Sequence, residues 1–299
     1  MSKPVKYIVA IVVLFGLNLF LFYSNSNTRS SSFDDALFVI SDTSQIASFN
    51  IVNDKGIIEI VRNQSGWMLN NTWAIDQNFL NVFFSIMNRV RVKRQSGEIK
   101  PENAGTLTIR FEDGSERAFN FTADAIGTKS YFIEDRTSYQ VEVPGYRDNV
   151  VNILELSEDQ WRSRTVFDGS WRTIQKLTIT SSEEELTIRF NDKFFTVDGV
   201  NQIDSSAVVD YLNQFQFWQA NEMISPGRFP QLDSLKELGA HALLTIDDIK
   251  SEEPVQFKIY SALPGQSYHL VTKHETEMMV FDSRRIQSIL RPVAHFEAK

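Results

Sequence analysis

The feature that most constrains this chain is that it repeats itself. Slid along itself by 128 positions, the sequence matches without a gap from about Phe38 to Val90. Ile46 falls on Ile174, Phe49 on Leu177 and Ile51 on Ile179. Ile58 and Ile60 fall on Leu186 and Ile188, Trp67 on Phe195, Leu69 on Val197, Ile75 on Ile203 and Asp76 on Asp204. Leu80, Phe83, Phe84, Met87 and Val90 then fall on Val208, Tyr211, Leu212, Phe215 and Trp218. Few pairs are identical, but a strand-like and a helix-like apolar period stay in step, which chance does not produce. With a slightly larger shift, "LTIRFEDGSERAFNF" (107–121) resembles "LLTIDDIKSEEPVQFKI" (243–259), and "SYFIEDRTSYQVEV" (130–143) resembles "SYHLVTKHETEMMVF" (267–281). "DNVVNIL" (148–154) resembles "RRIQSIL" (284–290). Two copies of one domain follow, 36–167 and 168–299.

Within a copy, "IASFNIV" and "GIIEIVR" alternate apolar and polar residues as half-buried strands do. "QNFLNVFFSIMNRVRV" carries Phe79, Leu80, Phe83, Phe84, Met87 and Val90 on one helical face. The strands "TLTIRFED", "ERAFNFTA", "KSYFIED" and "SYQVEV" come after, then a helical or turn segment near "NVVNILEL". The expected class is α+β: an N-terminal transmembrane helix, then two tandem copies of an antiparallel sheet packed with one main helix. Trp67 and Phe195, at one repeat position, are expected as core anchors between sheet and helix, against the rival reading of a ligand-stacking aromatic.

The first segment speaks to location. Lys3 and Lys6 precede an uncharged run from Tyr7 to Tyr23, and the polar "SNSNTRSSSFDD" follows. As a helix the run spans about 25 Å. That suffices, with Tyr7 and Tyr23 at the interfaces, to cross a hydrocarbon core of ~30 Å. Residues 1–6 are then a cytoplasmic N-terminus, 7–23 a transmembrane signal anchor and 24–35 a flexible tether. A cleaved signal peptide is the competing reading, with Ser24 and Ser26 before the cut. The long apolar run and the aromatic Phe20, Phe22 and Tyr23 beside the would-be site favour an uncleaved anchor. The expected location is the cytoplasmic (inner) membrane, single-pass, with the bulk in the periplasm.

Composition then removes several classes of function. Hydrophobic residues make 42% and charged residues 23% of 299, so the bulk is neither disordered nor all-membrane. A net charge of −8 argues against nucleic acid, which needs a basic face. The one basic run, "RVRVKR" (89–94), reads as an exposed helix end that suits the helix dipole. Zero cysteines exclude disulfides, thiolate catalysis and zinc–thiolate sites. No G-x-S-x-G, P-loop or G-x-G-x-x-G pattern occurs. Of four histidines, His241, His269, His274 and His295, none has metal-helix spacing; His269 and His274 flank "LVTK" in an expected strand pair. The acidic runs "SSEEEL" (181–186), "DD" (247–248) and "SEE" (251–253) read as solvated edges rather than as a hydrolase's carboxylate pair. Asn63, Asn70 and Asn120 match the N-glycosylation acceptor, which would matter only in a eukaryotic type II membrane glycoprotein.

"DGVNQIDSS" (198–206) looks like a metal loop, with Asp198, Asn201 and Asp204 around Gly199. Its counterpart in the first copy is "NNTWAIDQN" (70–78), where Trp73 stands in place of Asn201. Only the Ile-Asp pair persists, and it stands just before a periodic helix. The stretch therefore reads as a turn and a helix cap used twice. A metal site private to the second copy stays open. No catalytic, cofactor-binding or metal-ligating residue is assigned, no cofactor is expected and the chain is not read as an enzyme.

A resemblance comes from "FVISDTSQIASFNIV", "GWMLNNTWAID", the helix ending "NRVRV", and "VEVPGYRDNVVNILELSEDQWRSRTVF". The chain resembles the Bacteroidota-style members of a bacterial domain-of-unknown-function family numbered 4340. The resemblance covers nearly the whole chain and is carried by Trp67, Pro144-Gly145-Tyr146, and Trp161-Arg162 before Val166-Phe167. It implies one N-terminal membrane helix and an extracytoplasmic region of repeated α+β units. It also implies company with ABC-type export components linked to gliding motility. The family has no established catalytic residues, so none is carried over. "WRSRTVFDGSW" (161–171) bridges the copies; Trp161, Arg162 and Arg164 there are expected to pack the junction rather than to form a binding patch. Two functions remain in view: a membrane-anchored scaffold or interaction protein of an export or gliding-associated envelope system, or a periplasmic ligand- or cell-wall-glycan-binding module. The expected partners are the membrane and an envelope protein, with ABC-type transporter components as the candidates, and no nucleic acid.

Overall fold

A computed structural model describes residues 33–64, 66–97 and 104–298. The expected anchor at 7–23, the N-terminus before it and residues 24–32 of the tether lie outside the described residues. Among the described residues no helix is long and apolar enough to cross a membrane. The class is α+β, mostly antiparallel sheet with a few helices. In chain order come β1 (Ile46–Asn53), β2 (Gly56–Asn63), β3 (Gly66–Leu69), β4 (Trp73–Ala74) and α1 (Gln77–Arg89). Next are β5 (Arg91–Gly97), β6 (Gly105–Phe111), β7 (Glu116–Ala123), β8 (Ser130–Glu134), β9 (Thr137–Glu142), α2 (Glu158–Trp161) and β10 (Thr165–Phe167). Then follow β11 (Ile174–Ser181), β12 (Glu185–Asn191), β13 (Phe194–Val197), α3 (Ser205–Asn213), β14 (Trp218–Gln219) and β15 (Glu222–Ile224). The chain closes with α4 (Pro230–Glu237), β16 (Ala242–Asp248), β17 (Val255–Ile259), β18 (Tyr268–Lys273), β19 (Glu277–Asp282) and α5 (Ser283–Ile289).

By compactness the chain divides into two units. Unit 1 takes the described residues of Met1–Asp54 and Asn81–Glu155; unit 2 takes those of Lys55–Leu80 and Leu156–Lys299. This division does not follow the repeat boundary at 167/168. The segment Lys55–Leu80 makes side-chain hydrogen bonds to α2 through Asn70 and Trp73, which groups it with the residues after Leu156.

In unit 1 the strands run β1-β6-β7-β8-β9-β5, all antiparallel. Ile46, Phe49 and Ile51 of β1 are buried, an apolar spacing that breaks period two. A register shift between Ile46 and Ser48 accounts for it, because a bulge resets which face a residue takes. Phe83 of α1 lies flat on Phe49, ring centroids 4.0 Å apart and planes 12° apart. Phe38 fills the sheet's far end against Phe119, Phe132 and Tyr139. Gly105 faces Phe121 across β6 and β7, and a Cβ there would sit 2.2 Å from the ring. The basic run departs from expectation. Only Arg89 ends the helix, and its Nη2 donates to the Pro144 carbonyl at 3.0 Å. Arg91 to Arg94 belong to β5, where Val92 is buried and Lys93 pairs with Glu142 at 2.6 Å across the ladder. Val90 and Val92 alternate with Arg89, Arg91 and Lys93, a strand period that the helix reading overlooked.

In unit 2 the strands run β13-β12-β11-β16-β17-β18-β19-β15, again all antiparallel, with β10-β14 as a separate pair. β11 repeats the offset of β1: Ile174, Leu177 and Ile179 are buried, with a register shift between Ile174 and Lys176. Helix α3 lays Val208, Tyr211 and Leu212 on the main core. Burial pushes the Tyr211 phenol far up, so it stays protonated and donates to the Ile289 carbonyl at 2.7 Å. Trp218 stacks on Phe281 at 4.7 Å beside Phe257 and Phe215. At one end the sheet is buried on both faces. Met279 and Phe281 face the main core, while Met278 and Val280 face a small second core of Ile224, Leu235, Tyr260 and Leu270 beneath α4. Two covered faces explain the unbroken apolar run "MMVF" where one covered face would give alternation.

Helix starts match the expected caps. Asp204 Oδ1 accepts from the backbone N–H of Ser206 at 2.9 Å and of Ala207 at 3.1 Å, and Asp76 Oδ1 accepts from Asn78 at 2.9 Å. Asn70, Asn71 and Gly199 take φ of 48°, 53° and 83°, the left-handed turn region. Asp204→Ala is expected to destabilise unit 2 by about 1 kcal/mol, since two helix N–H groups lose their acceptor. Urea denaturation followed by tryptophan fluorescence checks it, and an unchanged midpoint would refute the cap.

Candidate functional site

The stretch "SEDQWR" (157–162) builds a buried charged cluster in unit 2. Ser157 and Gln160 close the start of α2, with Gln160 Oε1 accepting from the Ser157 N–H at 2.9 Å. The short helix then presents Asp159 and Trp161 inward, and Arg162 follows; all three are buried. Arg162 is only 3% exposed, so its charge must be met by protein groups. Its Nη2 reaches Glu277 of β19 at 3.2 Å and its Nη1 stands 3.8 Å from Asp159. Its guanidinium lies 3.8 Å from the ring centroid of Trp73, a cation on an aromatic face. Trp73 is held in turn by Nε1–H donating to Glu158 Oε1 at 3.0 Å, and Asn70 Nδ2 donates to the other Glu158 oxygen at 2.8 Å.

Asp159 links this cluster to the segment after β15. Its Oδ1 accepts from the Ser225 hydroxyl at 2.7 Å and its Oδ2 from Arg228 Nη1 at 2.9 Å. Arg228 also pairs with Glu222 at 2.8 Å. Asp159 thus stands between two guanidiniums, Arg162 and Arg228, and its bonds to Ser225 and Arg228 pin the root of the 225–241 segment. The connection between β5 and β6, at 98–104, has seven residues; that between β15 and β16, at 225–241, has seventeen and carries α4.

Under α4 lies a pocket of about 580 Å³. Its floor is the outer face of β15, β19 and β18. The register Leu270↔Val280↔Glu222 forms one row, Met278↔Ile224 the row beneath α4, and Tyr268↔Asp282 the open row. Walls come from Phe229, Gln231 and Leu232 at the start of α4, and from Leu263 and Gln266 in the loop before β18. Phe229 and Tyr268 are 39% and 47% exposed. Asn221 Oδ1 accepts from the Asp282 N–H at 2.8 Å, which fixes that amide and leaves its Nδ2 to donate.

Other residues singled out by sequence go elsewhere. Phe195 is a buried core anchor, whereas Trp67 is only half-buried. Arg164 is exposed and apart from the Trp161–Arg162 pair's burial. His269 sits in β18 with Nδ1 2.9 Å from the Tyr260 carbonyl, while His274 lies in the following turn at φ 48°. Among the described residues no cluster of three or more His, Asp or Glu could hold a metal ion. Glu183, Glu184 and His241 share a smaller pocket of about 390 Å³, where both Glu184 oxygens accept from the Val293 N–H. Asp248 is not a solvated edge: it is 2% exposed, and its Oδ1 caps the turn by accepting from Lys250 at 2.8 Å. The network residues Trp73, Asp159, Arg228 and Glu277, and the pocket aromatics Phe229 and Tyr268, escaped the sequence reading. The signal for the pocket was the growing repeat shift, which marks an insertion before residue 243.

Set beside protein-family models, curated proteins and solved structures, the chain matches none of them.

Proposed function

We propose that the chain is a membrane-anchored extracytoplasmic interaction protein, not an enzyme, built from two copies of one α+β unit. Support for the copies comes from strand order and from the backbone contacts beside the two helix caps. The runs β1-β6-β7-β8-β9-β5 and β11-β16-β17-β18-β19-β15 have the same order, and β1 and β11 bulge at the same place. The bridge Ile75↔Arg162 has its counterpart in Ile203↔Glu297. The Asp76 and Asp204 N–H groups donate to the Trp161 and Phe296 carbonyls, each at 2.9 Å. The anchor rests on the 7–23 run behind Lys3 and Lys6, which would hold the bulk in the periplasm.

Within this reading the first role is an accessory scaffold of an ABC-type export or gliding-associated envelope system, and the resemblance noted from sequence supports it. The second role is a ligand- or cell-wall-glycan-binding module. The observation favouring it, and carrying the binding reading as a whole, is the pocket walled by a segment that unit 1 replaces with seven residues. Insertions in one repeat tend to form its binding face. The test is crosslinking of full-length protein in its native membrane, then purification in mild detergent. The protein is expected to resist alkaline extraction and to bring down a membrane protein. Release by alkali would overturn the anchor. Absence of any partner beyond those of the tethered anchor alone would overturn the scaffold.

A further inference from the structure

The pocket under α4 has a lining that selects one kind of ligand. Its floor and one wall are apolar, from Ile224, Val280, Leu232 and Leu263, and its mouth carries two half-exposed aromatic rings, Phe229 and Tyr268. Among the described residues lining it, the charged group is Glu222, already paired with Arg228. The remaining polar groups are the Tyr268 hydroxyl and the side-chain amides of Asn221, Gln231 and Gln266. An amide offers both a donor and an acceptor, which suits hydroxyl groups that do the same. An acyl chain would cover the amides of Gln231 and Gln266 with hydrocarbon and offer them no hydrogen bond. An anionic ligand would meet Glu222 with no unpaired cation among the lining groups. A sugar ring fits all three features, since it has an apolar C–H face for an aromatic ring and a rim of hydroxyls for amides.

We infer that this pocket binds a neutral sugar ring, stacked on Tyr268 and Phe229 and hydrogen-bonded by Gln231, Gln266, Asn221 and Glu222. The inference rests on the ligand-binding role proposed above and names its ligand class. Preorganisation supports it. The α4 wall is anchored through Ser225 and Arg228 to buried Asp159, and Tyr268 stands on a strand paired with β19. A site mounted on fixed elements loses little entropy on binding.

The full-length chain in detergent is titrated calorimetrically with β-1,4-linked N-acetylglucosamine trimer, maltotriose, a sialic acid polymer, lauric acid and a leucine-rich peptide. At least one neutral oligosaccharide is expected to bind, and the sialic acid polymer is not. Tyr268→Ala is expected to weaken binding about tenfold, and Gln266→Ala to weaken it less. Tyr268 is half-exposed, so its loss leaves the fold intact, which circular dichroism verifies. Phe190→Ala, an exposed aromatic on β12 outside the pocket, is the control and leaves affinity unchanged. Heat only from lauric acid or the peptide would overturn the sugar assignment, as would sugar binding insensitive to both Tyr268 and Gln266. No heat from any probe overturns it as well. Crosslinking to a membrane partner, measured separately, would in that case leave the scaffold role standing.

Discussion

Arg162→Met is expected to destabilise unit 2 by about 3–5 kcal/mol, because it strips one charge from a buried cluster and leaves its partners behind. Asp159 and Glu277 stay where they are, and Trp73 loses the cation on its face. The asymmetry matters. Replacing every member of a buried ion cluster with apolar groups can be neutral, but removing one member maroons the others. Arg162→Lys is expected to recover little, since an ammonium cannot fork between Asp159 and Glu277 while stacking on an indole. Arg164→Met, two residues on and exposed, is the comparison and is expected to shift stability by no more than about 0.5 kcal/mol. Urea titration of the three variants decides it. If Arg162→Met and Arg164→Met unfold at the same midpoint, the buried guanidinium contributes nothing to stability.

Phe83→Ala is expected to cost unit 1 about 3–5 kcal/mol, the loss of a fully buried aromatic together with the cavity it leaves. Its ring lies flat on Phe49, and both are at most 1% exposed, so no solvent can fill the space. The neighbouring Val82, about 100° round α1, is 36% exposed. Val82→Ala removes a β-branched residue from an exposed helix position and is expected to change stability by about 0.5 kcal/mol or less. The pair of measurements tests the helical face directly: equal losses at 82 and 83 would mean that α1 packs differently.

The repeat made much of the fold legible. Phe49, Phe83, Leu80 and Met87 in one stretch, and Leu177, Tyr211, Val208 and Phe215 in the other, are all buried, as their shared apolar pattern predicted. The caps at Asp76 and Asp204 were legible because a cap is a local hydrogen bond between residues two or three apart. The readings that went astray were also local in kind. "RVRVKR" continued a helical pattern that the chain leaves at Val90 to enter β5, and "DD" looked like surface until Asp248 turned inward. In both places the neighbouring strand decided the outcome, and sequence spacing carries no record of a neighbouring strand.

By itself the sequence determined what depends on short range: the period of most strands and helices, their succession, the turns needing positive φ, and the exclusion of thiol chemistry. Tertiary structure alone decided which distant residues share a cavity. Trp73 and Arg162 are 89 positions apart in sequence, Asp159 and Arg228 are 69, yet each pair is in contact. Tyr268 and Phe229 line one pocket because β18 and β15 both flank β19 and the inserted segment carrying α4 walls it. Buried charges and pocket walls are satisfied by whatever group folding brings within a few ångströms, and that proximity is a property of the packed sheet rather than of the order of residues along the chain.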